Sequence, residues 1–315
     1  MRPGILAVGE FLPSAIAMLE QDCSVHHFVD APLNLADAIG TAAAASVRGI
    51  MMEPNRSVTR SLLEAPPNLE IVAIVGVGID ALDVAAAKAR GIAVTNAPNI
   101  LADDVADFAM ALLLASARQV LEGDRHVRAG AWAAGAMRLG RSVTGKTLGI
   151  LGLGQIGRAI ARRGEAFGMD VLYTDLAPKP DAPYRFLGSL VELAARSDFL
   201  VAACSGGAQT RRIVNGDVLA ALGPDGTLIN ISRGSVVDEP ALIEMLRDGR
   251  VGHAALDVFD NEPLVCDALL ALPHLIVGPH HAAGTIESRE KLSAVAIDNL
   301  RAKLAGAPLL TLVPL

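Results

Sequence analysis

Short apolar runs bounded by glycine recur along the chain and set its rhythm. In the first third they are GILAVG (4–9), VRGIMM (47–52), EIVAIVGVG (70–78) and GIAVTNAP (91–98). Apolar at nearly every position, such runs read as parallel strands buried on both faces. The segments 13–21, 33–44, 58–65 and 81–89 between them carry helix-compatible spacing, which predicts a small βαβ domain. Residues 101–121 then read as one long helix whose acidic first turn suits the positive end of the helix dipole. Its remaining positions are almost all Ala, Leu, Met or Phe, so it is buried on several sides; a core or interdomain helix and a subunit interface both fit. From Lys146 the rhythm resumes with TLGILG, MDVLYTD, DFLVAAC, GTLINIS, HAALDVF and LIVGPH. Helices at 155–167, 190–195, 215–222 and 240–247 alternate with these, and a last helix (286–304) precedes the tail LLTLVPL. Six strands in this alternation predict a doubly wound parallel sheet.

A chain of 315 residues exceeds what one core usually organises, so two domains are expected. Apolar residues at 52% against 19% charged exclude a disordered chain. A formal net charge of −7, without any Lys/Arg run, argues against a nucleic-acid or anionic-membrane partner. The most apolar stretch, 108–117, is half of the roughly 20 residues a membrane span needs, and the start of the sequence lacks a signal-peptide pattern. Cys23, Cys204 and Cys266 are too scattered for a disulfide framework or a zinc site. These features predict a cytoplasmic protein with no metal.

The strongest local signal is Gly152-Leu153-Gly154-Gln155-Ile156-Gly157, between the strand TLGIL and a helix. Gly152 permits the tight turn, Gly154 lets a pyrophosphate approach, and Gly157 lets the helix pack on the strand. The helix N-terminus supplies N–H groups for phosphate. Asp175 ends the next strand, 18 residues after the last glycine, where a carboxylate can accept from a ribose diol and repel a 2′-phosphate. NAD is therefore expected over NADP, with Lys179 softening the preference.

Three polar positions follow later strands: Arg233 after LINIS, Glu262 after HAALDVF, and His280 with His281 after LIVGP. Arginine can fork a carboxylate and polarise a ketone, histidine can donate a proton near neutral pH, and a carboxylate can orient the imidazole. That is the chemistry of 2-oxo acid reduction. Spacing alone leaves open which histidine takes part.

The chain resembles the D-isomer-specific 2-hydroxyacid dehydrogenases, and within them the glyoxylate/hydroxypyruvate reductase branch. The resemblance runs through VGVGIDALD (75–83), ILADDVADFAMALLLA (100–115), GRSVTGKTLGILGLGQIGRAIARR (140–163), LINISRGSVVDEPALIEML (228–246), ALDVFDNEP (255–263) and GPHHAAGT (278–285). It implies a Rossmann-type dinucleotide domain (99–285) and a smaller flavodoxin-like substrate domain (1–98, completed by 286–315). It implies that Arg233 binds the substrate carboxylate and carbonyl, that His280 is the acid/base with Glu262 as its partner, and that backbone N–H groups at Val77 and Gly78 hold the carboxylate. Asp257 is expected near the nicotinamide amide. Gly152, Gly154, Gln155, Ile156, Gly157, Asp175, Cys204, Thr210, Ile231 and His280 are further expected cofactor contacts, although Cys204 also reads as a small core residue.

Relatives that prefer NADP carry Ser/Arg or Arg-Arg after the second cofactor strand, where this chain has Asp175-Leu176-Ala177, in agreement with NAD. Ala102 replaces a common Thr, and His281 stands where small or apolar residues are usual, either lining the pocket or pointing away. The turn Met52-Glu53-Pro54 matches a segment that lines the substrate pocket in relatives, and Glu53 there is expected to disfavour a second acidic group. His26, His27, His126, His253 and His274 match no motif and read as structural or solvated. Trp132 either reaches towards a partner subunit or packs under a loop. With the long apolar helix it predicts a homodimer. The resulting expectation is NAD(P)-dependent reduction of a small 2-oxo acid. The alternatives are a dehydrogenase of phosphoglycerate, formate or phosphite, which for the first would need Arg48, Arg56 or Arg60 to meet a phosphate, or a non-catalytic NAD-sensing regulator.

Overall fold

Two parallel sheets form where the sequence offers unbroken apolar runs. The protein's computed structural model describes residues 2–315. The chain divides into two compact units, one of Met1–Ile100 with Gly284–Leu315, the other of Leu101–Ala283.

In the first unit, strands β1 (Gly4–Val8), β2 (Ser24–Phe28), β3 (Val47–Met52), β4 (Ile71–Ile74) and β5 (Ala93–Thr95) alternate with helices α1 (Pro13–Glu20), α2 (Leu35–Ile39), α3 (Thr41–Ser46), α4 (Arg60–Glu64) and α5 (Val84–Ala89). The sheet order is β2-β1-β3-β4-β5, the flavodoxin-like order, so the direction of winding reverses between β1 and β3. β1 and β4 are buried at every position. β2 escapes the apolar-run criterion because it is an edge strand, SVHHF, exposed at its first and fourth residues. The single helix expected over 33–44 is two, broken at Gly40, whose φ of 83° interrupts the helical backbone.

The second unit begins with α6 (Ala102–Arg118) and α7 (Val120–Arg128). The one long helix expected over 101–121 is thus corrected: Gln119 takes a left-handed conformation (φ 53°) and caps α6 by donating its N–H to Ala115 O and Ser116 O. Its side-chain amide then donates to Leu139 O at 3.2 Å. α6 buries eight residues of its apolar face, whereas α7 buries none. A 3-10 turn (Ala131–Ala133) carries Trp132, which is 69% exposed, so packing under a loop is excluded.

The sheet of this unit contains β6 (Thr147–Leu151), β7 (Asp170–Thr174), β8 (Arg185–Phe186), β9 (Phe199–Ala202), β10 (Thr227–Asn230), β11 (His253–Leu256) and β12 (Leu275–Val277). The connecting helices are α8 (Gln155–Ala166), α9 (Leu190–Ala195), α10 (Gly216–Leu222), α11 (Glu239–Arg247) and α12 (Asp267–Leu270). The order β12-β11-β10-β9-β6-β7-β8 makes a seven-stranded, all-parallel, doubly wound sheet. The two-residue edge strand β8 is too short to leave a pattern. One apolar core lies between the sheet and α6 with α8, and a second covers the other face beneath α9, α10 and α11.

The chain returns to the first unit with α13 (Ile286–Leu304), which packs on α1, β3 and β4. The tail is tied down by Asn299, fully buried on α13: its Oδ1 accepts from the N–H groups of Leu310 (3.0 Å) and Thr311 (3.3 Å), and its Nδ2 donates to Val295 O and Thr311 Oγ1. Thr311 Oγ1 donates in turn to Asn96 O at 2.5 Å, just past β5. Asn299→Ala strands these partners and should cost this unit about 1–3 kcal/mol. Urea unfolding should show the loss, with faster hydrogen exchange at Leu310 and Thr311.

Candidate active site

The glycine motif performs three different tasks at the turn between β6 and α8. Gly152 has φ 93°, and a Cβ there would lie 2.7 Å from Cys204 Cα, so the loops after β6 and β9 touch at this residue. These two strands flank the point where the winding reverses, which is where open α/β sheets bind ligands. At Gly157 a Cβ would collide with the Gly152 carbonyl, so its absence seats α8 on the turn. At Gly154 a Cβ would meet nothing within 4 Å. That open cradle, at a helix start with no side-chain cap, leaves N–H donors directed at an anion. The residues present therefore fit a dinucleotide pyrophosphate.

Asp175, directly after β7, accepts from the N–H groups of Leu153 (2.9 Å) and Leu176 (2.7 Å), and Lys179 Nζ stands 3.5 Å from it. The carboxylate is thereby pinned beside the glycine turn. Cys204 is a half-buried free thiol, pushed up from its ordinary pKa by burial against a hydrogen bond with Ser232. Thr210 Oγ1 donates to Ser205 O at 2.8 Å, closing the loop after β9. Ile231 is buried at the end of β10.

Arg233, Glu262 and His280 occupy loops after β10, β11 and β12, three neighbouring strands. The Arg233 guanidinium donates from Nη1 to Ser232 O at 2.8 Å, and its stem lies over Gly206, where a Cβ would come within 2.6 Å of Arg233 Cγ. Gly234 presses against the Phe259 carbonyl so closely that no Cβ fits, which brings the Arg233 loop onto the Glu262 loop. Glu262 Oε1 accepts from Phe259 N–H at 2.9 Å, and Oε2 meets His280 Nδ1 at 2.6 Å. Burial would raise the Glu262 pKa, but the His280 bond, the Phe259 N–H and the nearby charges of His280 and Arg233 hold it below the usual carboxylate value. The carboxylate therefore stays ionised throughout the neutral range, and its attraction for His280 is lost only as pH falls through that lowered value. His280 Nε2 makes no hydrogen bond among the described residues, and 42% of the side chain is exposed.

Asp257 is completely buried. Its oxygens accept from the N–H groups of His281 (2.9 Å) and Ala282 (2.8 Å), while its main-chain carbonyl accepts from His280 N–H at 2.8 Å. Gly278 makes room, since a Cβ there would lie 2.5 Å from Asp257 Oδ1. The expectation for Asp257 concerned the nicotinamide amide, and the loop-holding role had only the glycine of GPHH as its signal. Burial pushes the Asp257 pKa up, against these N–H groups and the charges of His280 and His281. The His281 side chain is exposed.

In the first unit, Val77 and Gly78 follow β4, and their N–H groups donate to nothing among the described residues; Asn96 Nδ2 fixes the loop through Val77 O at 2.9 Å. Glu53 is not the free negative charge expected at its turn. It is 3% exposed and paired with Arg289 at 2.6 Å. Arg48, Arg56 and Arg60 pair with Glu70, Asp30 and Asp83, so none stands ready for a phosphate. Among the described residues no cluster of His, Cys, Asp and Glu could hold a metal, and no helix is long and apolar enough to cross a membrane.

The fold and the two constellations define a dinucleotide-dependent oxidoreductase. The chain belongs to the D-isomer specific 2-hydroxyacid dehydrogenase family, whose NAD binding domain profile matches residues 110–282. It is 44% identical over 266 residues to a glyoxylate/hydroxypyruvate reductase of Arabidopsis thaliana, covering 84% of this chain and 85% of that one. It is 39% identical over 310 residues to the 2-ketogluconate reductase of Gluconobacter oxydans, covering 98% of each. Among solved structures, an NADPH-dependent glyoxylate/hydroxypyruvate reductase from Sinorhizobium meliloti, in complex with NADP and malonate, superposes with a TM-score of 0.90 at 41% identity, covering 99% of this chain and 97% of that one.

The glycine geometry separates binding from folding. Gly154→Val should abolish NADH binding in a fluorescence titration while leaving the melting temperature unchanged. Gly157→Val should lower the melting temperature as well, by overpacking worth about 1–3 kcal/mol.

Proposed function

We propose that this enzyme reduces a small 2-oxo acid of the glyoxylate/hydroxypyruvate type to the D-2-hydroxy acid, with NADH preferred and NADPH accepted more weakly. The observation that carries the reading is the His280–Glu262 pair at 2.6 Å, which spends Nδ1 on the carboxylate and leaves Nε2 for a substrate. A nicotinamide held by the residues of this site would supply the hydride for the carbonyl carbon. Arg233 binds the substrate carboxylate and draws charge from the carbonyl, and the N–H groups of Val77 and Gly78 take up the carboxylate. His280, as imidazolium, gives its Nε2 proton to the oxygen as negative charge builds there. Glu262, 2.6 Å from Nδ1, keeps the ring oriented. Gly152, Gly154, Gln155, Ile156 and Gly157 would hold the pyrophosphate, Asp175 the ribose diol, and Cys204, Thr210, Ile231 and Asp257 would border the rest of the cofactor.

The same reading takes the protein as a cytoplasmic homodimer. Val120, Leu121, Val127, Trp132 and Leu139 leave an apolar surface exposed on one segment, which supports a second copy as its cover. The three cysteines are free thiols, in keeping with a reducing compartment.

Assays with glyoxylate, hydroxypyruvate, pyruvate and 2-ketogluconate, run in parallel with NADH and NADPH, test the assignment. Fast turnover with NADH is expected, and no turnover of any acid by cofactor-binding protein would overturn it. His280→Ala should lower kcat by roughly a hundred- to ten-thousandfold with NADH affinity retained. Asp175→Ser should narrow the NADH/NADPH ratio. Glu262→Gln weakens the bond that orients the His280 ring and should lower kcat with NADH affinity retained.

A further inference from the structure

The first unit has its own switch point, between β1 and β3, and a charged side-chain cluster fills it. Glu53 leaves the end of β3, and a Cβ on Gly9, at the end of β1, would lie 2.5 Å from Glu53 Cγ. Glu53 Oε2 accepts from Glu10 N–H at 3.0 Å and has Arg56 Nε 3.8 Å away, while Oε1 accepts from Arg289 Nη1 at 2.6 Å. Arg56 is itself held by Asp30 at 2.7 Å. Glu53 and Asp257 are the only acidic side chains buried among the described residues. A carboxylate is kept there only with its charge answered, and Arg289, in the first turn of α13, answers it.

This cluster adjoins the carboxylate-binding loop proposed above. Val75 N–H donates to Met52 O at 2.8 Å, and Pro54 packs where a Cβ on Gly76 would come within 2.7 Å. The turn at 52–54 and the N–H groups of Val77 and Gly78 therefore lie side by side on one sheet edge. A substrate whose carboxylate sits on those N–H groups has the rest of its carbon chain within reach of this turn. Arg289 keeps 37% of its side chain exposed beside it. Glu10, whose N–H reaches Glu53, and Glu287 and Glu290, on α13 with Arg289, are exposed and negative.

We propose that the Glu53–Arg289 pair selects the substrate's tail by charge. It offers the outward N–H groups of an already neutralised guanidinium to a hydroxyl, and it turns away a second carboxylate or phosphate. The guanidinium's closest acceptor position is occupied by Glu53 Oε1, so an incoming anion meets like charge without a free cation in return. This inference rests on the proposed 2-oxo acid reduction and names its substrate class: neutral, hydroxylated tails.

The test is calorimetric titration of the protein–NADH complex with D-glycerate and D-malate, which share the 2-hydroxy acid and differ in a neutral or an anionic tail. Both partners are reduced, so no turnover intrudes. Wild-type protein should prefer D-glycerate. Glu53→Gln uncovers Arg289 and should shift the affinity ratio towards D-malate by about tenfold or more, the effect of one unscreened charge at contact distance. Arg289→Met should shift it the opposite way, and the double variant should return it to near the wild-type value. If Glu53→Gln does not fold, the sign of the Arg289→Met shift decides. Unchanged ratios in folded single variants would overturn the selectivity while leaving the 2-oxo acid reading intact. Failure of both acids to bind the wild-type complex would overturn both.

Discussion

The second unit's chemistry depends on one buried carboxylate. Asp257 has no access to solvent, and taking an ion out of water costs several kcal/mol unless it is fully hydrogen-bonded. Its partners are main-chain N–H groups of His281 and Ala282, so satisfying the charge fixes the loop after β12. His280 accordingly holds φ 54°, a conformation that a non-glycine residue keeps only when its surroundings impose it. That backbone turn, with Gly278 giving way beneath it, aims the imidazole at Glu262. Glu262 is in turn anchored to Phe259, and Gly234 docks against the same residue to bring in Arg233. Three side chains from three loops thus share one rigid frame, and the frame is made of main chain.

Close approach, not side-chain reach, also explains the cofactor cradle. Gly152 lets the loops after β6 and β9 meet, Gly157 lets α8 settle on the turn, and only Gly154 faces empty space. Asp175 belongs to this arrangement structurally before it belongs to any ligand, because its carboxylate accepts the Leu153 N–H in the middle of the turn. The residue proposed to select the ribose is therefore the same residue that stiffens the glycine turn.

Much of this was legible in the sequence, for physical reasons that can be named. Strands buried on both faces announce themselves as unbroken apolar runs, so β1, β3, β4, β6, β9, β10 and β11 stood out. The edge strands β2 and β8 did not, because SVHHF and a two-residue strand carry no such run. Helix length was overestimated where one residue turns left-handed: Gln119 hides inside a continuous helical pattern, and its conformation is fixed by a distant carbonyl at Leu139. The positions of Arg233, Glu262 and His280 at strand ends were readable, while their convergence was not, since it is written in Gly206, Gly234 and Gly278 and in the partners of Asp257. Arg289 left no local signal at all. Its partner Glu53 lies 236 positions away, and no spacing rule links a turn after β3 to the first turn of α13.

The protein's two buried acids are stabilised in different ways, and the difference separates what can vary from what cannot. Asp257 is answered by backbone amides, which every residue supplies. Removing the carboxyl group would leave buried N–H groups without acceptors and free the loop of His280. Glu53 is answered chiefly by a side chain, at the edge of another sheet. Replacing Glu53 and Arg289 jointly leaves the net local charge unchanged and leaves one main-chain donor, Glu10 N–H, to be satisfied. The proposed acid/base chemistry therefore rests on the part of the molecule whose electrostatics are locked to the main chain. The proposed substrate choice rests where a pair of side chains can be exchanged without touching that frame.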